Sequence, residues 1–506
     1  MSDLSQLIEQ TQRPIRKLWD IAPPSGRITE NAEIGGICDD SRHIQPGEAF
    51  LCLPRAGSEA TRYIAKAAKA GAAAAIIIGQ DKLKITKLPC LYLDNMEEAG
   101  RCLRKWFKTV RTKVPLFGVT GTDGKTSIAW MLREALQKLH GSAWSVGTLG
   151  FVKAPDDILD IGNTTPSLLT NHRLLALAQT KKIGALVMEV SSHGIAQKRI
   201  AGLDFTAAAW TNLGHDHLQD HGGYDAYAAI KQGFIRQVAE SKKPVICNAD
   251  SAEIKRLMSK IGGDVRWYGH GLYQQGLFMR WEQELPGLLR LATDEEEVRI
   301  EDIPLGDFHA ENMAATASLL CASLDVPLKD TPALLEGISA PPGRLQGLDI
   351  GRWKVFIDYA HTPEALERCL TTLRKLTTGR LITVFGCGGE RDREKRPQMG
   401  RIASLLSDIV WITSDNPRSE LPEVIASEIE NGMPHPYTAK VHLQLDRAEA
   451  IRAAVACMQP QDCLVIAGKG HENYMEIAER RIPWSDTEIA TGALHEKEAE
   501  GLKACA

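Results

Sequence analysis

The chain has 506 residues, too many for one hydrophobic core, and at about 150 residues per domain it predicts three domains. A net charge of −4, with 25% charged and 6% aromatic residues, excludes a broadly basic nucleic-acid binder, so any basic site is local. No apolar run approaches the roughly 20 residues of a bilayer span, and Met1-Ser2-Asp3-Leu4-Ser5-Gln6 lacks a signal-peptide order, so a cytoplasmic protein without membrane insertion is expected.

From Ile34 to about Thr109, short apolar runs such as Ala49–Leu53 and Ala74–Ile78 alternate with alanine-rich helical stretches, the pattern of a small α/β unit. The turn Cys38-Asp39-Asp40-Ser41-Arg42 is polar and, taken alone, carries no function. Lys108–Lys113 is basic and poorly periodic, which makes it a linker and places a boundary near residue 112. Next, the apolar strand Leu116–Thr120 runs into Gly121-Thr122-Asp123-Gly124-Lys125-Thr126-Ser127, and a helical pattern follows from Ile128. That is the order of a phosphate-binding loop: glycines let backbone N–H groups converge on anionic oxygens, the helix N-terminus adds positive potential, and lysine neutralises phosphate. Thr126 or Ser127 would hold Mg²⁺. The strict G-x-x-x-x-G-K-[ST] spacing is not met, because Val119 stands five residues before Gly124, so the loop is a variant. A Gly-Lys-Thr triplet alone would be an ordinary connection; the flanking strand and helix favour nucleotide binding.

Downstream, Asn163-Thr164-Thr165-Pro166 precedes the apolar run Gly184–Met188, which ends in Glu189, Ser191, Ser192 and His193. Open α/β sheets bind ligands at the carboxyl ends of their strands, so Glu189 is a candidate to hold Mg²⁺ directly or through water, with a strand-end salt bridge as the plainer alternative. The strand Ala207–Thr211 leads into Asn212-Leu213-Gly214-His215-Asp216-His217-Leu218-Gln219-Asp220-His221. No cysteine supports a transition-metal site there, so phosphate and Mg²⁺ chemistry is preferred, with His217 touching the metal. Lys231 falls on a helix beginning near Tyr224 and by spacing alone is a surface lysine. Residues 264 to 302 are strand- and turn-like, and Phe308 opens a helix to Leu324 on which Asn312 reads a base edge or caps a turn.

Pro341-Pro342-Gly343-Arg344 breaks the chain again, and the second boundary falls just before it. A third α/β unit follows, with strands Lys354–Asp358, Leu381–Phe385, Asp408–Ile412 and Cys463–Ala467. Each ends in a polar or glycine-rich cluster: Asp358-Tyr359-Ala360-His361, Gly386–Asp392, Ser414–Arg418 and Gly468–Glu472. Four such ends imply one shared cleft. Arg391 and Arg418 suit a carboxylate, while Asp415 and Glu472 suit an ammonium, so together they sketch an amino-acid pocket. The 11 cysteines read as reduced core thiols, with Cys387, between glycines, the one to watch.

In number and order the motifs Thr120–Thr126, Asn163–Pro166, Glu189–His193, Asp358–Pro363 and Asp415-Asn416-Pro417-Arg418 resemble those of the Mur ligases of peptidoglycan precursor synthesis, over nearly the whole chain. The resemblance implies three α/β domains: 1–112 binding a UDP-muramoyl peptide, a P-loop-type ATPase domain at 113–340, and a Rossmann-like amino-acid domain at 341–506. It implies UDP contacts at Asp39, Ser41 and Ala56-Gly57-Ser58, and muramoyl-dipeptide contacts at Asn163, Thr164, Thr165, Ser191, Gln197 and Arg199. ATP would meet Gly121 to Ser127, together with Asn312, Arg344, Asp358 and His361. Arg391, Asp415, Asn416, Pro417, Arg418, Gly468 and Glu472 match diaminopimelate contacts. By the same resemblance Lys125, Glu189, His217 and Lys231 are catalytic. Thr126, Glu189, His217 and Lys231, the last as a carbamate formed with CO₂, hold Mg²⁺.

The expected reaction phosphorylates the D-glutamate carboxylate of UDP-N-acetylmuramoyl dipeptide with ATP and transfers the acyl group to the amine of meso-diaminopimelate, in a monomer. A lysine-adding ligase and a regulatory protein on a degenerate ligase fold are the alternatives. Two departures stand out. Asp123 replaces the family's usual Asn beside the phosphates, and Gly214-His215 precedes Asp216 where relatives often carry a small residue and Arg.

Overall fold

The computed structural model describes residues 15–54, 59–79, 88–214, 221–478 and 480–504; the expected contacts Ala56, Gly57, Ser58 and His217 lie outside them. The chain divides into two compact units. One comprises Met1–Glu282, Leu289–Glu301 and Glu311–Glu336; the other comprises Gln283–Leu288, Asp302–Ala310 and Gly337–Ala506.

The first unit contains two sheets. The smaller runs Arg27–Ile28, Cys90–Leu93, Ala74–Ile78, Glu48–Cys52, Gly36–Cys38, parallel except at its first strand. Its middle strand Ala-Ala-Ile-Ile-Ile is buried throughout, as a parallel strand covered on both faces must be. The helix Ala60–Lys69 adds Ile64 and Ala67 to the core on one face, and Met96–Phe107 adds Leu103, Trp106 and Phe107 to the core on the other. That second core also takes in Leu168, Leu169, Ala176 and Ala201 from further along the chain.

The larger sheet has eleven strands among the described residues, and the segment expected to be strand- and turn-like from 264 to 302 supplies four of them at one edge. At its centre Leu116–Thr120 lies parallel between Ala185–Glu189 and Ala207–Trp210, with Glu189 opposite Val119 and Trp210 opposite Thr120. This register delivers the loops after Thr120, Glu189 and Trp210 to the same edge, where a parallel sheet presents its ligand site. Gly118 is required by packing: a Cβ there would stand 2.7 Å from Phe234 and 2.9 Å from Phe205.

The second unit is built on a sheet ordered Gln346–Ile350, Trp353–Asp358, Cys463–Ala467, Leu381–Phe385, Ile409–Ile412, Lys440–Leu443, parallel apart from its first strand. Helices cover both faces over two apolar cores. Asp358 pairs with Ala467 and Phe385 with Ile412, so the four polar clusters leave the sheet at one edge. No helix among the described residues is long and apolar enough to cross a membrane.

Candidate active site

The loop after Leu116–Thr120 opens into the helix Lys125–His140, and its bend depends on Gly124, whose φ of +81° favours glycine. A Cβ at Gly124 would also meet Asn312 Oδ1 at 2.6 Å, so the structure brings Asn312, on the helix Asp307–Leu324, against the loop. The segment after Ala207–Trp210 braces the loop from its other side. Asn212 Oδ1 accepts from the Thr122 and Asp123 N–H groups at 3.0 and 2.8 Å, Thr211 Oγ1 donates to the Asp123 carbonyl at 2.5 Å, and Gly214 N–H donates to Thr122 Oγ1 at 2.8 Å. Lys125 folds onto the loop, donating to the Gly121 and Thr122 carbonyls at 3.0 and 2.7 Å. Asp123 is exposed and its backbone carries the bracing, so the carboxylate does not disturb the loop's shape.

Glu189, 2% exposed, is the hub beside this loop. It accepts from Thr126 Oγ1 at 3.0 Å, from Thr148 N–H at 2.9 Å and from Thr148 Oγ1 at 3.1 Å, and Thr148 Oγ1 reaches Thr164 Oγ1 at 3.1 Å. A lone strand-end salt bridge is therefore the wrong description of Glu189: the groups that bond to its carboxylate here are two hydroxyls and an amide. Lys231 is 1% exposed, which corrects the surface reading drawn from spacing. The helix Tyr224–Glu240 turns it inward, where Nζ donates to the Gly121 carbonyl at 2.7 Å and lies 4.6 Å from the Tyr227 ring centre. Tyr227 OH in turn meets Thr122 Oγ1 at 3.0 Å. His221 Nε2 pairs with Ser192 Oγ at 2.9 Å, and its ring lies 4.7 Å from that of His193.

The expected dipeptide residues also converge. Thr165 Oγ1 donates to the Glu189 carbonyl at 2.8 Å and meets Ser191 Oγ at 3.0 Å, while Arg199 donates to the Thr165 carbonyl at 2.7 Å and to Gln197 Oε1 through Nε and Nη2. Asn163, two positions before Thr165, is exposed. Ser41 is buried and Asp39 half-buried, at the carboxyl end of Gly36–Cys38.

A Mg²⁺ ion takes one or two carboxylates, hydroxyls, water and substrate phosphate oxygens, and Thr126 with Glu189 is an oxygen donor set of that kind beside a phosphate-type loop. Among the described residues no group of three or more His, Cys, Asp or Glu is placed to hold a metal.

In the second unit Asp358 accepts from the Leu345 and Ala360 N–H groups at 2.6 and 2.8 Å; burial raises its pKa despite these bonds and the nearby Arg344. The Arg344 guanidinium stacks 4.3 Å from the Tyr359 ring centre, and the His361 ring lies 4.6 Å from that ring. Tyr359 itself is pushed up to about 12 by burial. The loop Asp415–Arg418 is laced to its neighbours: Asn416 Nδ2 donates to Glu472 at 2.9 Å, and Lys469 Nζ donates to Asn416 Oδ1 at 3.0 Å and to Glu472 at 2.8 Å. Glu472 thus already neutralises a buried ammonium. Arg418, at φ +51°, donates to the Gly389 carbonyl at 2.6 Å and to Glu476 at 3.1 Å, while Arg391 is exposed. A Cβ at Gly468 would stand 2.7 Å from Asp415 Oδ2, so the glycine lets that carboxylate lie against the next strand end. Beneath them the fully buried Arg447 pairs with Asp486 at 2.6 Å and donates to the Ala467 and Ser414 carbonyls. Burial lowers its pKa, but Asp486 more than offsets this and holds it above the ordinary value. Burial lifts the Cys387 thiol to about 12, so it is an inert core thiol.

Thr148, Asn212, Tyr227, Lys469 and Glu476 were not singled out from the sequence. The available signal was position: Thr148 follows the strand Ala143–Gly147, and Asn212 follows Ala207–Trp210.

A parallel α/β sheet carrying a variant phosphate loop and a buried hydroxyl–carboxylate pair, with a second sheet whose strand ends hold an ionic cluster, defines a nucleotide-dependent enzyme. Residues 119–320 match the Mur ligase middle domain and residues 343–470 match the Mur ligase, glutamate ligase domain. The UDP-N-acetylmuramoyl-L-alanyl-D-glutamate–2,6-diaminopimelate ligase of Mesorhizobium japonicum is 35% identical over 495 residues, 96% of this chain and 100% of that one. The ligase of the same name from Brucella melitensis is 38% identical over 93% of this chain and 96% of that one. A solved structure of a UDP-N-acetylmuramoyl-L-alanyl-D-glutamate–2,6-diaminopimelate ligase superimposes with a TM-score of 0.67 at 28% identity, covering 92% of this chain and 95% of the other. The chain belongs to the Mur ligase family, whose members are ATP-dependent, ADP-forming ligases.

Proposed function

We propose that the protein joins meso-2,6-diaminopimelate to the D-glutamate of UDP-N-acetylmuramoyl-L-alanyl-D-glutamate in peptidoglycan precursor synthesis, with conversion of ATP to ADP and phosphate. The observation that carries this reading is Glu189, buried and shared by the loop hydroxyl Thr126 and by Thr148, which itself touches the dipeptide residue Thr164. One carboxylate thus links the nucleotide loop to the acceptor's side of the first unit.

In the proposed mechanism the D-glutamate γ-carboxylate attacks the γ-phosphorus of ATP, giving an acyl phosphate and ADP. The amine of diaminopimelate then attacks the acyl carbon, phosphate leaves, and the amide forms. Lys125 and the N–H groups opening Lys125–His140 neutralise the phosphates, and Asn212 and Thr211 keep that loop in shape. Mg²⁺, when bound, supplies charge neutralisation to the phosphate oxygens; Thr126 and Glu189 would hold it, with His217 and a carbamate on Lys231 as further ligands. Asn163, Thr164, Thr165, Ser191, Gln197 and Arg199 are read as dipeptide contacts, Asp39 and Ser41 as UDP contacts, and Asn312, Arg344, Asp358 and His361 as ATP contacts. In the second unit Arg418 and Arg391 receive the distal carboxylate of diaminopimelate, and Asp415 receives an ammonium. The domains are read as 1–112, 113–340 and 341–506. Soluble nucleotide and amino-acid substrates fit a cytoplasmic monomer.

The test is phosphate release by the purified protein with ATP and Mg²⁺. Release is expected only with both the UDP-linked dipeptide and the amino acid, and faster with meso-diaminopimelate than with L-lysine. Release without either co-substrate refutes the ligase, and preference for lysine refutes the specificity. For the carbamate, Lys231→Ala should lose activity and regain part of it with a short carboxylic acid; full activity in that variant excludes the role.

A further inference from the structure

The helix Leu168–Lys181 begins three residues after Thr165, the residue that meets Ser191 and Arg199, and carries a side chain that the reaction above does not use. Arg173 is 8% exposed, and its Nη2 donates at 2.6 Å to the carbonyl of Ile37, in the strand Gly36–Cys38 of the smaller sheet. Asp39 and Ser41 lie at the carboxyl end of that strand, and Asp39 is among the charges that act on the guanidinium. Two positions earlier, Asn171 Nδ2 donates to the Pro166 and Arg199 carbonyls at 3.1 and 2.9 Å. One rigid helix is thus fastened at its start to the dipeptide cluster and, through Arg173, to the strand that presents Asp39 and Ser41.

A second contact makes the same join. Gly100, on the helix Met96–Phe107, comes so close to the turn after Arg199 that a Cβ would lie 2.3 Å from the Ala201 carbonyl oxygen, and Glu97 accepts from Gly202 N–H. The shared apolar core with Leu168, Leu169, Ala176 and Ala201 closes the seam.

We infer that Arg173 is a positioning residue that sets the distance between the uridine-diphosphate end and the dipeptide end of the bound substrate. It touches neither end itself. A substrate long enough to occupy both subsites gains from their fixed spacing, because binding one end raises the effective concentration of the other. A ligand filling only one subsite gains nothing from it. The inference rests on the ligase reading and adds to it a residue that acts through the seam.

The experiment compares the parent enzyme with Arg173→Met and Arg173→Lys, measuring kcat, the KM of all three substrates, the Ki of UDP alone, and the melting temperature. Arg173→Met is expected to raise the KM for the UDP-linked dipeptide about tenfold, the scale of losing one hydrogen bond from a charged donor. The KM values for ATP and diaminopimelate, and the Ki of UDP, should stay within about twofold of the parent. Arg173→Lys, which retains a cationic donor, should fall between. Gly100→Ala, which leaves Arg173 in place and wedges the seam, should show the same split and serves where Arg173→Met fails to fold. An unchanged dipeptide KM overturns the inference. So does a UDP Ki that rises in step with that KM, which would make Arg173 part of the uridine subsite, and so does an equal change in all three KM values. Absence of turnover in the parent enzyme overturns the ligase reading and this inference with it; normal parent turnover with an unaltered Arg173→Met overturns only the inference.

Discussion

Gly147→Ala tests the Glu189 hub without touching any residue that bonds to it. Gly147 ends the strand Ala143–Gly147, is buried, and has no left-handed φ, so alanine meets no backbone strain there. A Cβ at this position would lie 2.0 Å from Glu189 Oε1, 2.5 Å from its Cδ and 2.6 Å from its Cγ. To regain ordinary van der Waals separation the carboxylate must retreat by about 1.4 Å. That retreat pulls it away from Thr126 Oγ1 and from both donors of Thr148, three contacts that now span 2.9 to 3.1 Å. A misplacement of about 1 Å in a group that orders reacting partners costs on the order of 100-fold in rate, so kcat should fall by about that factor. The assay is phosphate release under saturating ATP and diaminopimelate across a Mg²⁺ titration, with thermal unfolding as the control on folding. A Gly147→Ala variant that folds normally and keeps kcat within about threefold of the parent would show that the position of the Glu189 carboxylate does not govern the reaction.

Thr148→Val keeps the backbone donor to Glu189 and removes the hydroxyl that also reaches Thr164, so kcat/KM for the UDP-linked dipeptide should drop roughly tenfold; unchanged steady-state kinetics would contradict the link. Asp486→Asn leaves Arg447 charged in a site where neither side chain is exposed, and should destabilise the second unit by about 3–5 kcal/mol; a loss below about 1 kcal/mol in denaturant unfolding would be inconsistent with a buried ion pair. Glu420 is held down to about 2 by its Arg396 hydrogen bonds and by the Glu390 N–H. Its folded-state pKa is depressed, so its contribution is full above the ordinary 4.5 and is lost as pH falls from 4.5 toward 2. Glu420→Gln should therefore flatten the acid limb of melting temperature against pH in that window; an acid limb as steep as the parent's would refute the assignment.

Much of the fold was legible because its signals are local. The runs Leu381–Phe385 and Cys463–Ala467 appear as strands with the expected bounds, and the helix expected near Tyr224 spans Tyr224–Glu240. A buried parallel strand needs a continuous apolar run, and the polar group after it marks the edge where ligands bind, so both features are written within a few residues of each other. The phosphate loop is equally local: glycine, lysine and threonine act there through their own backbone and the next helix turn.

Local sequence therefore specifies the alternation of strands and helices, the loop from Gly121 to Ser127, and the residues offered at the strand ends. Tertiary structure alone decided who meets whom. Lys231 looks like any helix lysine until the helix packs its Nζ against Gly121, 110 positions away in the chain. Glu189 reads as a strand-end carboxylate until the register of two parallel neighbours brings it Thr126 and Thr148. Arg173 falls in an ordinary helix whose only visible role is packing until its guanidinium reaches Ile37. These pairings depend on sheet register and helix packing between distant segments, and no local propensity or spacing records either one.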